Sequence, residues 1–262
     1  MRKPFWWLIV IVVAGVVLSV IYYATQKKPP RYVPPPAEAP APALPPSAEP
    51  EIRHPIEQAP QQQSLPTLKE SDPAVKESLG SLWDNKTLEQ VFNLNEFVRR
   101  VVATIDNLPR PKVALRLMPV KPVPGQFRTA GKGDNLALSP DNAARYAPYM
   151  KLADAVDSAK LVGVYIRLYP LFQQAYEELG YPKAYFNDRL IEVIDHLLAT
   201  PEMPAQAKLV QPKVFYQFAD PELESRSAGQ KILLRIGNDN AARIKAKLRE
   251  IRTELTRRGP KS

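Results

Sequence analysis

Two neighbouring stretches decide the fold class: DSAKLVGVYIRLYPLFQQAYEELG at residues 157–180 and FNDRLIEVIDHLLATPE at residues 186–202. The first predicts a long helix that is kinked at Pro170 and stopped by Gly180. In the second, apolar side chains recur at helical spacing on one side, and Pro201 closes the segment. Two adjacent helices of this kind predict a domain that is mainly α-helical.

The other side of the second helix is polar, with Asp188, Glu192, Asp195 and His196 at near-helical spacing. The plain interpretation is a solvated helix face. One alternative is a buried ion-pair network with arginine or tyrosine side chains of another segment. The other is an active site, in which Glu192 is a base oriented by His196 or the carboxylates bind a cation.

Helical patterns continue on both sides of this pair, from a predicted cap at Ser71 to the basic C-terminal segment. Two segments, residues 109–129 and 207–219, read as extended because they are rich in proline or in β-branched and aromatic residues. We therefore expect a compact helical domain over residues 65–262. It should contain at most a small β-ribbon made from those two segments.

A second polar candidate lies at the end of a predicted helix, where Asp106 precedes Arg110. Asp106 is expected to fix the following turn by accepting backbone N–H groups. The alternative places both side chains against a ligand at a crease of the domain. Together with the polar helix face they define a candidate polar cluster. Its members are Asp106, Arg110, Asp188, Glu192 and His196.

Basic side chains crowd the last predicted helix around a thin apolar seam. The plain interpretation docks the seam on the domain and leaves the basic face in water. The alternatives are pairing with a partner helix and contact with an anionic lipid or polymer. The candidate anion-binding residues are Arg243, Lys245, Lys247, Arg249 and Arg252.

Two further patterns have plain explanations. An aromatic stripe at helical spacing predicts core packing with hydroxyl groups at the rim, with a carbohydrate-stacking platform as the alternative. The sequence DNAAR occurs at residues 141–145 and again at residues 239–243, at two predicted helix starts, where Asp and Asn are favoured caps. The members of the aromatic stripe are Tyr165, Tyr169, Phe172 and Tyr176.

Composition excludes several classes of site. The chain has no cysteine and two histidines, His54 and His196, so thiolate chemistry and any site with two imidazoles in the domain are excluded. Phosphate-loop, dinucleotide-binding and serine-elbow motifs do not occur. We expect no cofactor, no metal, no catalytic residue and no nucleic-acid partner. The net charge of +9 indicates only a weak attraction to polyanions.

The N-terminal segment, residues 1–28, predicts a membrane anchor. Its sequence, MRKPFWWLIVIVVAGVVLSVIYYATQKK, has no charged side chain from Pro4 to Gln26 and has aromatic residues near both ends, as in a single transmembrane helix. A cleaved signal peptide is the alternative, but Tyr22 would then occupy a position that needs a small side chain. Basic residues flank both ends, so charge does not decide the orientation.

Residues 29–64 predict a disordered, proline-rich linker. Of the 29 prolines, 13 lie within residues 29–66, and such a segment buries too little apolar surface to fold. In the extended polyproline II form it reaches on the order of 100 Å. The plain interpretation is an inert spacer, and the alternative is a ligand for a proline-recognising groove.

Several words of the sequence together resemble a known family: VATIDNLPR, NAARYAPY, YPLFQQAYEELGYP and AGQKILLRIGNDNAARIKAKLREIR. They are similar to the bacterial family catalogued as domain of unknown function 3014, over roughly residues 65–257. The resemblance brings no activity, cofactor or catalytic residue. It implies a Gram-negative envelope protein with an N-terminal anchor and its domain on the periplasmic side of the inner membrane.

These observations favour a non-catalytic, single-pass inner-membrane protein whose linker holds the helical domain in the periplasm. There the domain would bind an envelope protein or an anionic envelope polymer. One alternative is an envelope hydrolase that uses Asp188, Glu192 and His196. The other is an energy-coupling or trafficking rod, because the plan of anchor, spacer and terminal domain is similar to that of TonB-type proteins.

Overall fold

The computed structural model describes residues 51–57 and 64–257, and this part of the chain is mainly α-helical, as the sequence predicts. No helix within it is long and apolar enough to cross a membrane. The predicted anchor and most of the predicted linker lie outside the described residues. The helices are α1 (Asp72–Gly80), α2 (Asn85–Val91), α3 (Phe97–Asn107), α4 (Asn142–Arg145), α5 (Ala147–Ala155), α6 (Ser158–Glu178), α7 (Phe186–Leu198), α8 (Pro221–Glu224), α9 (Ala228–Arg235) and α10 (Asn238–Arg257).

Helix α6 is the central element of the fold. It packs against α3, α7 and α10, so apolar side chains are needed on more than one of its faces. Pro170 lies inside the helix, which continues through it, and Gly180 follows with φ +116°, a conformation that favours glycine. The main core lies between α1, α2, α3, α6 and α7. Its buried side chains include Val75, Leu79, Leu88, Val98, Val102, Leu168, Phe172, Tyr176 and Phe186.

Helix α7 confirms the amphipathic pattern read from its sequence. Ile191, Val193 and Ile194 are buried, and Ile191 and Ile194 meet Leu255 of α10 in a smaller apolar cluster. The seam of the last helix therefore docks on the domain, as its plain interpretation expects. Leu248 and Ile251 pack beside the same cluster.

A carboxylate of α1 caps the start of α3. The Asp72 side chain accepts the backbone N–H groups of Glu96 at 2.8 Å and Phe97 at 3.1 Å. This matters because Glu96 has φ +51° and makes no cap bond with its own side chain. Ser71 occupies the N-cap position of α1, as expected, but it makes no side-chain cap bond, because its hydroxyl donates to the carbonyl of Leu68 at 2.8 Å.

The β-structure consists of two short antiparallel pairs rather than one ribbon across the two predicted segments. The pairs are β1 (Thr129–Ala130) with β2 (Ala137–Leu138), and β3 (Leu209–Val210) with β4 (Gln217–Phe218). A single bridge between Ala137 and Lys208 joins them. The residues of β2 lie outside both predicted extended segments. A second core forms beneath the strands, from Met203, Ala207, Leu209, Phe218, Leu223 and Leu234.

Residues 51–57, which we call the strap, were expected within the disordered linker but contact the domain. The backbone N–H groups of Arg53 and His54 donate to the two carboxylate oxygens of Asp188, at 3.0 and 2.7 Å. The N–H of Ile56 donates to the Tyr185 hydroxyl at 2.8 Å, and its side chain packs against the main core. The expectation of disorder is therefore corrected for these residues, because side chains of the domain accept hydrogen bonds from their backbone.

Candidate functional site

Asp106, near the end of α3, is the buried centre of the first polar cluster. It is 3% exposed and accepts from Arg110 Nη2 at 2.6 Å and from the Tyr181 hydroxyl at 3.3 Å. Arg189 of α7 places Nε 3.2 Å from the same carboxylate, close enough for an ion pair but without hydrogen-bond alignment. The charge of Asp106 raises the pKa of the Arg110 guanidinium. Two arginines thus compensate one buried carboxylate.

Glu192 is linked to this cluster through Arg189, its one ion-pair partner in the part of the chain that the structure describes. Its carboxylate accepts from Arg189 Nη1 at 3.0 Å, and its side chain is 56% exposed. Arg189 Nη2 also donates to the Asp106 carbonyl at 3.0 Å. The group expected as a general base in the hydrolase hypothesis is therefore a solvent-facing ion-pair partner.

Asp188 does not join Asp106. Both of its carboxylate oxygens are occupied by the strap, and the neighbouring Asn187 amide donates to the His54 carbonyl at 2.9 Å. Asn187 is fully buried and also accepts from the Tyr165 hydroxyl at 3.3 Å. Its buried polar atoms and the Asp188 carboxylate together hold the bent backbone of the strap at Arg53 and His54.

His196 contacts a residue that sequence reasoning did not single out, Ser227. His196 Nε2 lies 2.8 Å from Ser227 Oγ, the spacing of a base and a nucleophile. Ser227 is buried, however, and its hydroxyl also accepts the Gln230 N–H as the N-cap of α9. Within the described residues no carboxylate bonds the imidazole to orient it. The pair closes the contact between α7 and α9; the only sequence signal for Ser227 was a serine before a helical pattern.

The five members of the candidate polar cluster therefore do not converge on one cavity. Asp106 and Arg110 pair, Glu192 is linked to them through Arg189, and Asp188 and His196 lie in separate contacts. None of the five lines any of three hollows on the described surface. In that same part of the chain no three His, Asp or Glu side chains come together in a way that could hold a metal ion.

The candidate anion-binding residues on α10 are mostly engaged within the domain. Arg243 pairs with Asp154, and Arg252 Nη2 donates to Asp195 Oδ2 at 3.0 Å. Lys245 donates to the Thr200 carbonyl, and Lys247 donates to the Val156 carbonyl and to Glu250, both at 3.0 Å. Arg249 is exposed and has no such partner among the described residues. The cations are used chiefly to fasten α10 to the fold.

The aromatic stripe lies in the core, as expected. Tyr169, Phe172 and Tyr176 are buried, and burial raises the pKa of the Tyr176 hydroxyl to about 12. The Tyr169 hydroxyl reaches Gln173 Oε1 at 2.9 Å, so a polar rim satisfies it. A carbohydrate cannot stack on these rings, and the alternative of a sugar platform is wrong for this stripe.

A groove of about 650 Å³ lies between α5 and the start of α10. Both DNAAR copies contribute to its walls, in which the apolar residues of α4 and α5 face polar residues at the start of α10. A smaller cleft of about 230 Å³ adjoins it and shares part of its lining. The groove residues are Pro140, Ala143, Ala144, Ala147, Met150, Lys151, Gly237, Asn238, Asp239, Asn240 and Arg243.

The two DNAAR copies meet beside this groove and share an internal bond. Arg145 Nη1 lies 3.1 Å from Asn142 Oδ1, and Arg243 Nη1 lies 3.4 Å from Asn240 Oδ1, at the same positions of the two repeats. The Asn240 amide of the second copy donates to the Ala143 carbonyl of the first at 3.1 Å. The repeat thus holds two segments together.

Helix capping by aspartate does not explain the first copy, because Asp141 makes no side-chain cap bond. Asn142 is the buried residue instead, and its amide bonds the backbone of Arg128 and Ser139. Gly237, which lines the groove and has φ +88°, lies close to the first copy. A Cβ built on it would be 3.3 Å from Ala143 Cβ.

A family model described as a protein of unknown function (DUF3014) matches residues 97–252. The chain belongs to this family. The DUF3014 region runs from the first residue of α3 into α10, and it contains the Asp106 cluster, α7 and both DNAAR copies. It is shorter than the range 65–257 that the resemblance suggested, although α1 and α2 share the main core with it. No curated protein and no solved structure matches the chain.

Proposed function

We propose that this chain is a membrane-anchored, non-catalytic binding protein of the bacterial envelope, with its helical domain in the periplasm. The observation that carries the proposal is the separation of the candidate catalytic side chains. Asp106, Asp188 and His196 are each engaged in contacts that hold the fold, and none of them lines a described hollow. What the surface offers instead is a groove with few titratable groups.

The sequence supports the location of the proposed function. Residues 1–28 have the length and aromatic borders of a single-pass anchor, and the proline-rich segment gives the domain reach. The resemblance to the DUF3014 family implies a Gram-negative envelope protein, and this favours a domain on the periplasmic side of the inner membrane. On this arrangement the domain samples the space near the inner membrane without leaving it.

An envelope protein suits the groove better than an anionic polymer. Four of the five cations expected to bind a polymer already have partners inside the domain. The small side chains of Ala143, Ala144 and Ala147 allow the backbone of a partner segment to approach closely. We therefore expect a peptide segment of an envelope protein, with small side chains where it meets these alanines, to lie in the groove.

Site-specific photo-crosslinking in living cells tests this proposal with the full chain. A benzophenone amino acid at Ala144 or Ala147, both exposed and both in the groove, should give an adduct with one defined envelope protein. The same amino acid at Ala246, exposed on α10 outside the groove, is the matched control. An adduct with a polysaccharide would assign the polymer instead. Absence of an adduct at both groove positions, or an equal adduct at 246, would contradict the proposal.

The binding proposal and the hydrolase hypothesis predict different results for the Glu192→Ala variant. On the binding proposal, Glu192→Ala should leave the free energy of unfolding within about 0.5 kcal/mol of wild type, because its carboxylate faces water and its partner among the described residues is Arg189. It should also preserve the groove adduct and restore any phenotype of a deletion strain. A folded Glu192→Ala variant that forms the adduct but restores nothing would favour catalysis.

A further inference from the structure

The tip of the second hairpin, residues 211–216 between β3 and β4, exposes two adjacent large apolar side chains. Val214 and Phe215 are each 78% exposed, the highest values for large apolar side chains in the described part of the chain. A single exposed apolar residue is ordinary on a protein surface. Two neighbours at the apex of a hairpin, next to the partly exposed Val210, form a small protruding patch.

The two strands that carry this tip are packed against the domain. Leu209 and Phe218, at the ends of the paired strands, are buried in the second core. The Tyr216 ring stacks on Phe127 with centroids 5.4 Å apart, and Arg235 Nη2 donates to the Tyr216 carbonyl at 3.2 Å. The hairpin is therefore fixed to the domain on both sides of its exposed apex.

The charged side chains of the hairpin segment, residues 203–219, have one sign, and the nearby Glu224 carboxylate lies at the base of the hairpin, where it accepts the Phe218 N–H. Lys208 and Lys213 are both exposed, and no Asp or Glu occurs between Glu202 and Asp220. Lys213 belongs to the tip, and Lys208 lies at the base of the hairpin, where its carbonyl accepts the Ala219 N–H. Apolar side chains at an apex with ammonium groups at the apex and at the base suit the boundary between acyl chains and headgroups of an anionic bilayer. A protein partner would need an acidic rim around an apolar socket.

The tether favours the bilayer over a protein partner. A weak surface contact becomes populated when both surfaces are held in one assembly, because binding is then an intramolecular event. The predicted anchor keeps the domain near one bilayer at all times. This inference accordingly rests on the anchored arrangement of the proposed function.

We propose that Val214 and Phe215 insert into the anionic surface of the bilayer that holds the anchor, while Lys208 and Lys213 contact lipid phosphates. The domain then touches the membrane at two places, through its anchor and through this hairpin. Contact at the hairpin restricts the directions in which the groove faces.

Spin labelling of the full chain tests the proposal, because the absence of cysteine allows one label without background. Val214→Cys is labelled and reconstituted in vesicles that contain phosphatidylglycerol, and accessibility to oxygen and to a water-soluble nickel complex is measured. We expect the label at 214 to become accessible to oxygen and shielded from nickel. The label should return to water in vesicles of phosphatidylcholine alone, in high salt, and in the Lys208→Glu, Lys213→Glu background. Glu77→Cys, exposed on α1, is the control that should stay in water.

Flotation of the vesicles separates the two proposals. A chain that does not float overturns both the anchor and the hairpin contact. A chain that floats with the 214 label as aqueous as the 77 label overturns the hairpin contact alone. Lipid burial that is independent of lipid charge overturns the role of Lys208 and Lys213. A 214 label that is shielded only after an envelope extract is added assigns the tip to a protein partner and overturns the membrane contact.

Discussion

At the scale of single residues, Asp188 shows how one carboxylate can change the meaning of a pattern. On a helical wheel it belongs to a solvated face, and sequence reasoning treated it so. In the structure it receives two consecutive backbone N–H groups from a segment that precedes it by more than a hundred residues. Periodicity reports which side of a helix is polar, but it does not report which distant backbone will need acceptors. Ser227 and the pairing of Arg189 with Asp106 were hidden for the same reason.

We predict that Asp188→Ala releases the strap. Two part-buried N–H groups lose their acceptor, so the free energy of unfolding should fall by about 1–3 kcal/mol in urea titrations. Hydrogen exchange at the amides of Arg53 and His54 should quicken while the core amides of α6 stay protected. Asp134→Ala is the control, since that side chain is exposed. Unchanged exchange at both strap amides would show that Asp188 does not hold the strap.

At the scale of elements, the helices could be predicted and their contacts could not. The apolar spacing of α6, α7 and α10 follows from a repeat of 3.6 residues, so both their existence and their buried faces are readable. The short strands were missed or displaced because two-residue pairs carry too little alternation to be recognised. Close approaches between elements depend on single small residues, and a sequence does not say which glycine serves packing. Gly229 of α9 is such a residue.

Gly229→Ala tests the packing of α9 against α3 and α7. An added Cβ would lie 3.1 Å from the Leu108 carbonyl oxygen and 2.6 Å from Leu197 Cδ2, and that carbonyl already accepts the Gly229 N–H at 2.9 Å. We expect a loss of about 1–3 kcal/mol in the free energy of unfolding. Gly80→Ala at the end of α1 meets nothing within 4 Å and should instead stabilise by up to about 1 kcal/mol. Equal effects of the two changes in urea unfolding would contradict this assignment.

At the scale of the whole molecule, the domain keeps several tyrosines protonated inside its core. Burial raises the pKa of Tyr165 and Tyr169, and raises that of Tyr176 to about 12. The ordinary tyrosine pKa is about 10, so the unfolded chain loses these protons at lower pH than the folded chain. The stabilisation is complete below about pH 10 and is lost as the pH rises towards the folded pKa.

Thermal unfolding between pH 8 and pH 11.5 should therefore show a midpoint that is steady at first and then falls steeply above about pH 10. Tyr176→Phe, which removes one ionisable group and keeps the ring, should make the fall shallower. Tyr216→Phe, at a partly exposed tyrosine, should leave it as in wild type. If the Tyr176→Phe curve falls as steeply as wild type, ionisation of this buried phenol is not a cause of alkaline unfolding.

The strap also sets a length. Tension applied from the N-terminal side meets the hydrogen bonds at Asp188 and Tyr185 before it reaches α1. While these hydrogen bonds hold, the chain between the predicted anchor and the domain ends at residue 53. Once they break, residues 54–64 lengthen it by roughly 40 Å of contour, at about 3.5 Å per residue. The segment that connects the domain to the predicted anchor thus has two lengths, a short one with the strap bound and a long one with the strap released. The change between them needs no unfolding of a helix. A force that releases the strap would lengthen the connecting segment and leave the groove and the hairpin tip intact.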